Sequence, residues 1–193
     1  LDRNVGDMCE KRPTDNGKTH NPVRPCGAEI SFENVTLPNG EEDTAQNVSF
    51  TAEKNTMTAL VGPSGGGKTT LANLLARFWD IKSGSIKVRG VDIRDVPLSE
   101  LMDKISMVFQ RVYLFQDTVY NNIAMGRPTA TKEEVEEAAK KARCYEFIMN
   151  LPQGFDTVIG EGGTSLSGGE KQRISIARCI LKDAPIVILD EAT

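Results

Sequence analysis

Gly62-Pro63-Ser64-Gly65-Gly66-Gly67-Lys68-Thr69 follows the pattern G-x-x-x-x-G-K-[ST]. An apolar run, Met57-Thr58-Ala59-Leu60-Val61, precedes it, and leucines at helical spacing follow it. That context gives the pattern its chemistry. Backbone N–H groups of a glycine-rich turn point inward and cradle phosphate oxygens. The helix N-terminus adds partial positive charge. A lysine at position 68 reaches β- and γ-phosphates, and the Thr69 hydroxyl ligates Mg²⁺.

Ile186-Val187-Ile188-Leu189-Asp190-Glu191 forms a second candidate. Four apolar residues bury a strand and hold two carboxylates at its C-terminal edge, where ligands of open α/β sheets bind. One carboxylate there can serve Mg²⁺ and the other an attacking water. Many strands end in Asp or Glu, so this pair gains meaning only beside the loop at 62–69. Leu166-Ser167-Gly168-Gly169-Glu170 is a third. Ser167 before two glycines at a helix start is a second place for an anion. Taken alone it is equally a capped helix with glycine neighbours.

These motifs need elements to position them. Ile30, Phe32 and Val35 predict a strand, and Val48 and Phe50 alternating with polar residues predict another. Met57–Val61 reads as a short buried parallel strand. Leu71, Leu74, Leu75 and Phe78 predict a helix over 69–79. Ile86 with Val88, and Ile105–Phe109, predict two more strands. Thr131 and Glu134 form a capping box. It opens a helix carrying Val135, Ala138, Ala139, Ala142, Tyr145 and Met149, with Glu136, Glu137, Lys140 and Lys141 on a solvated face. A second helix is predicted from Gly168 to Lys182. Strands alternating with helices predict an α/β fold with a mainly parallel sheet.

Composition narrows the function classes. Apolar residues make up 39% and charged residues 26%, too apolar a balance for a disordered chain. The net charge of -4 gives no electrostatic pull toward nucleic acid or an anionic membrane. The longest strongly apolar run is Ile186–Leu189, far below the ~20 residues a membrane span needs. Cys9, Cys26, Cys144 and Cys179 show no metal-ligand spacing and read as reduced thiols. Of 17 glycines, nine lie in 62–67 and 160–169, where the backbone must approach something closely or take positive φ. Residues 1–27, polar and carrying Pro13, Pro22 and Pro25, read as a linker. His20, the lone histidine, lies in it without a chemical partner nearby in sequence.

Together the motifs resemble the nucleotide-binding domain of ATP-binding cassette (ABC) transporters. Gly62–Thr69 is similar to the Walker A loop, Ile186–Glu191 to Walker B, and Leu166–Glu170 to the L-S-G-G-Q signature with Glu in fifth place. Gln110 matches the Q-loop glutamine. The segments 114–123 and Ile159-Gly160-Glu161-Gly162-Gly163 resemble exporter-type members. The resemblance implies a P-loop NTPase core, an N-terminal antiparallel β subdomain and a helical subdomain at about 110–170. It implies residues 1–27 as a linker from a preceding membrane domain and 28–193 as a cassette cut short after Walker B, lacking a switch histidine.

The roles it implies are these. Gly62, Pro63, Ser64, Gly65, Gly66, Gly67, Lys68, Thr69 and Thr70 bind ATP. Leu166, Ser167, Gly168, Gly169 and Glu170 contact the ATP of a facing cassette. Thr69, Gln110 and Asp190 serve Mg²⁺. Glu191, Gln110 and Lys68 carry the hydrolysis, with Glu191 as base. The implied partners are a second cassette, identical or different, and a transmembrane domain in the same polypeptide, with no nucleic acid. The implied place is the cytoplasmic face of a membrane, the inner one in a bacterium. Leu37-Pro38-Asn39 departs from the family by lacking the aromatic that stacks on adenine, a contact worth about 1–3 kcal/mol. Two other readings are a soluble ABC-type ATPase of DNA repair or translation, and a nucleotide-binding half that does not hydrolyse. The exporter-like segment at 159–163 argues against the first and Glu191 against the second.

Overall fold

A computed structural model describes residues 28–36, 47–160 and 166–190. The chain divides into two compact units between Met102 and Asp103.

The first unit is built on a four-stranded antiparallel sheet, ordered β2-β1-β3-β4. Its strands are β1 (Ala28–Thr36), β2 (Val48–Glu53), β3 (Ser83–Val88) and β4 (Val91–Asp92). Ile30, Phe32, Ala52, Ile86 and Val88 are buried on it, and the rings of Phe32 and Phe50 stack at 4.5 Å. Val35 is also buried, although it lies an odd number of residues from Phe32. The pairing explains this. Three steps on β1, from Phe32 to Val35, match two on β2, from Phe50 to Val48. Asn34 takes a left-handed φ of 50° at this bulge, and the extra residue returns Val35 to the core face. Ser49 holds the bulge by accepting from the Asn34 N–H at 2.8 Å.

Helix α1 spans Lys68–Leu75 and buries Leu71, Leu74 and Leu75. It stops short of the predicted end at 79. Arg77 turns left-handed, at φ 54°. Its N–H bonds Leu74 O at 3.0 Å and the Phe78 N–H bonds Asn73 O at 2.9 Å, the pairing of a Schellman cap. The Arg77 guanidinium holds the turn by donating to the carbonyls of Ile93 (2.9 Å) and Val96 (2.7 Å). Phe78 is therefore exposed rather than on the buried face.

The predicted strand at 57–61 does not form. Met57 is 93% exposed and Val61 60%, and among the described residues no strand pairs with this run. A parallel strand needs ladder partners and cover on both faces. Apolar character alone supplies neither.

In the second unit β5 (Ile105–Val108) and β6 (Ile186–Leu189) pair in parallel, Ile105 beside Ile186 and Val108 beside Leu189. Helix α2 (Leu98–Lys104) leads into β5. Helices α3 (Val119–Ala124), α4 (Lys132–Lys141), α5 (Tyr145–Met149) and α6 (Gly168–Lys182) enclose a core that includes Leu114, Ile123, Val135, Ile148 and Ile174. The capping box at Thr131 and Glu134 forms as predicted. The single helix predicted to reach Met149 is two helices. Arg143 turns left-handed at φ 57°, and Cys144 N–H bonds Ala139 O at 2.9 Å to close a second Schellman cap. Tyr145 therefore belongs to α5 and Met149 is half exposed. Among the described residues no helix is long and apolar enough to cross a membrane.

Candidate functional site

The loop at 62–67 belongs to the first unit, and Gln110, Leu166–Glu170 and Asp190 to the second. The loop is a tight turn. Gly66 N–H bonds Pro63 O at 3.1 Å. Gly65 and Gly67 take φ of +79° and +84°, a region L side chains rarely enter. Ser64, which precedes them, is exposed. The Lys68 ammonium folds back over the turn and donates to the carbonyls of Gly62 and Pro63, both at 2.9 Å.

Helix α1 begins at Lys68, with Thr69 and Thr70 in its first turn. Its N-cap, Gly67, makes no side-chain capping bond, and the first turn holds no acidic residue. Helix starts are ordinarily capped by Ser, Thr, Asp or Asn. A start left to a glycine keeps its N–H dipoles available to an anion. With an ammonium above the turn and a threonine hydroxyl in it, these residues fit a polyphosphate with its cation.

In the second unit Asp190 follows the C-terminal end of β6, where its N–H bonds Val108 O at 3.0 Å. Gln110 follows the same end of the paired strand β5. The parallel register therefore carries Gln110 and Asp190 to one edge of the sheet. Glu191, one residue further, lies outside the described residues.

Helix α6 starts at the glycines of the signature pattern. Ser167 is its N-cap and Leu166 is buried beneath it. A Cβ on Gly168 would meet nothing within 4 Å, and one on Gly169 would meet Arg173 Nη1 at 3.6 Å. Ser167 Oγ accepts from Glu170 N–H at 3.3 Å, and Glu170 Oε2 accepts from Ser167 N–H at 2.8 Å. These bonds complete a capping box. The Ser167 hydroxyl and N–H hold the Glu170 carboxyl below its ordinary pKa. The pattern S-x-x-E was present at 167–170, as T-x-x-E was at 131–134. A reading that took Glu170 only as a departure from glutamine missed it.

The two exporter-like segments meet. Val119 N–H bonds Thr157 O at 3.0 Å, Ile159 N–H bonds Asp117 O at 2.9 Å, and Thr118 bridges Val158. Tyr113 and Phe115 beside them are half exposed and touch edge to face at 5.4 Å. Residues 161–163 of the second segment lie outside the described residues, as do Leu37-Pro38-Asn39.

Comparison with known proteins gives the family. The ABC transporter family matches residues 45–193. The chain belongs to that family. Over 171 residues it is 52% identical to an ATP-dependent lipid A-core flippase of Desulfotalea psychrophila, covering 89% of this chain and 30% of the flippase. Over 182 residues it is 50% identical to the flippase of the same description in Vibrio cholerae, covering 93% and 31%. The solved structure of a bacterial Atm1-family ABC exporter with ATP bound matches with a TM-score of 0.84 at 41% identity, covering 98% of this chain and 32% of that one. The chain thus spans about a third of the length of these relatives. The expected α/β fold of P-loop ABC ATPases is present, with one antiparallel and one parallel sheet.

Proposed function

We propose that this ABC domain binds and hydrolyses ATP to power export across a membrane, working with a transmembrane domain and a second cassette. The observation that carries the reading is the turn at 62–67. Two left-handed glycines lead into a helix start without side-chain cap, and the Lys68 ammonium lies over the turn. Phosphate is the chemistry such a turn accepts. The matching of exporters on both sequence and structure supports the coupling to transport.

In this reading Gly62–Gly67 and the first turn of α1, through Thr70, hold the triphosphate by N–H groups. Lys68 leaves its carbonyl partners for the β- and γ-phosphate oxygens. Thr69, Gln110 and Asp190 are the residues that would hold Mg²⁺, and that ion would offset phosphate charge in the transition state. Glu191 takes a proton from water as its oxygen bonds to the γ-phosphorus and the β–γ bridging oxygen departs with ADP. Ser167 and the glycines beside it face the ATP of the second cassette. The membrane face concerned is the cytoplasmic one.

The test is Glu191→Gln in the full-length polypeptide that carries this domain. A glutamine cannot take the proton, so hydrolysis is expected to collapse while ATP stays bound. Turnover at the unmutated rate would remove Glu191 from the reaction.

A further inference from the structure

Glu170 does more to Ser167 than cap a helix. Besides the two capping bonds, the Ser167 hydroxyl donates its proton to Glu170 Oε2 at 2.7 Å. A serine hydroxyl has one proton to give. Here it goes to an ionised carboxylate, a bond roughly twice as strong as one between neutral groups. The γ-phosphate of a facing ATP presents only acceptor oxygens. Binding Ser167 requires that same proton, so two anions compete for one donor.

The surroundings sharpen the competition. The space beside Gly168 is open to an incoming group. Arg173, stacked over the Phe147 ring at 5.3 Å, brings positive charge toward Gly169. One side of the turn thus attracts a phosphate while the Glu170 carboxylate opposes it.

We propose that Glu170 is a positioning residue that withholds the Ser167 hydroxyl from the γ-phosphate of the facing ATP, so that the closed cassette pair binds less tightly and reopens sooner than with a neutral side chain at this place. The proposal rests on the reading above that Ser167 faces ATP across a cassette pair. Glutamine at the third helical position also completes a capping box. Its neutral oxygen accepts the serine proton less strongly and adds no repulsion. Glu170→Gln therefore removes the charge and keeps the cap.

The experiment uses the full-length polypeptide with hydrolysis blocked by Glu191→Gln, and dyes on the two cassettes that report closure by energy transfer. Mg·ATP is titrated in, and reopening is followed after dilution. Adding Glu170→Gln is expected to lower the ATP concentration at half-closure by about threefold or more and to slow reopening to match. The melting midpoint stays in place because the cap survives. In a Ser167→Ala background the Glu170→Gln shift shrinks to the smaller part that charge repulsion alone contributes. An unchanged or raised half-closure concentration overturns the proposal, and so does a shift that persists at full size without the Ser167 hydroxyl. Binding of a fluorescent ATP analogue to the loop at 62–69 is measured in parallel. Intact binding with no Glu170→Gln effect sinks this proposal alone, whereas no binding sinks the functional reading and this proposal with it.

Discussion

Arg178 grips Asn122 at two points. Its Nε donates to the Asn122 carbonyl at 2.8 Å and its Nη2 to Asn122 Oδ1 at 3.3 Å. Asn122 is fully buried, and burial draws the Arg178 guanidinium below its ordinary pKa. Asn122 Nδ2 also donates to the carbonyls of Phe115 and Thr118, both at 3.0 Å, and Oδ1 accepts from Phe115 N–H at 3.0 Å. One amide thus ties the exporter-like segment to α3, and Arg178 ties α3 to the helix that begins at Ser167.

Asn122→Leu keeps the branched shape and removes every one of those side-chain bonds. It leaves both backbone groups of Phe115 and part of a half-buried cation without their partner. Unsatisfied buried groups cost about 1–3 kcal/mol each, more for charges, so a loss of roughly 3 kcal/mol is expected in urea unfolding. A loss below about 0.5 kcal/mol, the scale of ordinary surface changes, would show that Asn122 is not structural.

Gly126→Ala tests the same junction from the other side. A Cβ there would lie 2.2 Å from the Arg178 carbonyl oxygen and 3.3 Å from Lys182 N. Both neighbours are backbone of α6, so relief means moving the helix rather than turning a side chain. Such overpacking costs about 1–3 kcal/mol or more, equal to several degrees of melting midpoint at this chain size. A midpoint within a degree of the parent would mean that α6 yields freely.

How far the sequence reached follows from these elements. The motif at 62–69, the helix over 168–182 and the strand before Asp190 were legible, because spacing and apolar runs report local geometry directly. The ends of α1 and α4 were not. Both turn left-handed at an arginine, Arg77 and Arg143, where glycine is the usual marker. The bulge at Asn34 was visible only as Val35 falling out of step with Phe32. The partnership of Asn122 with Arg178 joins residues 56 apart in the chain, and no local pattern records it. The strand expected at 57–61 failed because strand formation depends on ladder partners, which a run of apolar residues does not specify.

Arg143→Gly follows from the same observation. Arg143 holds φ 57° at the end of α4, and glycine enters that region without a Cβ penalty. A gain of about 0.5–1 kcal/mol is expected in thermal unfolding. Destabilisation would mean that the arginine side chain does more for the turn than its backbone strain costs.

Cys144 gives a pH prediction. It is fully buried and its Sγ donates to Ala139 O at 3.3 Å. Burial pushes its pKa from 9.0 up to about 12. A folded pKa raised above the unfolded one means that stability is intact below pH ~9 and falls as pH climbs from there toward ~12. Cys144→Ala is expected to flatten that alkaline decline. At pH 8 the native thiol stays protonated and shielded, so alkylation mapped by mass spectrometry should reach Cys144 only after denaturation. Modification at equal rates in native and denatured protein would contradict the buried placement.

Lys68 tests the phosphate reading most directly. Its ammonium spans Gly62 O and Pro63 O at 2.9 Å each, two neutral carbonyls on an exposed loop. A polyphosphate offers the ammonium charged acceptors in their place, and charge-assisted bonds are worth about 1.5–3 kcal/mol. Lys68→Ala is therefore expected to weaken ATP binding by about 10- to 150-fold, read by calorimetric titration. Because the bonds of Lys68 among the described residues are these two, on an exposed loop, the melting midpoint without nucleotide should move little. The stabilisation that ATP gives the parent should disappear, since a ligand raises stability only in proportion to its binding. An unchanged dissociation constant would remove the turn at 62–67 as the nucleotide site, whatever the resemblance of its sequence.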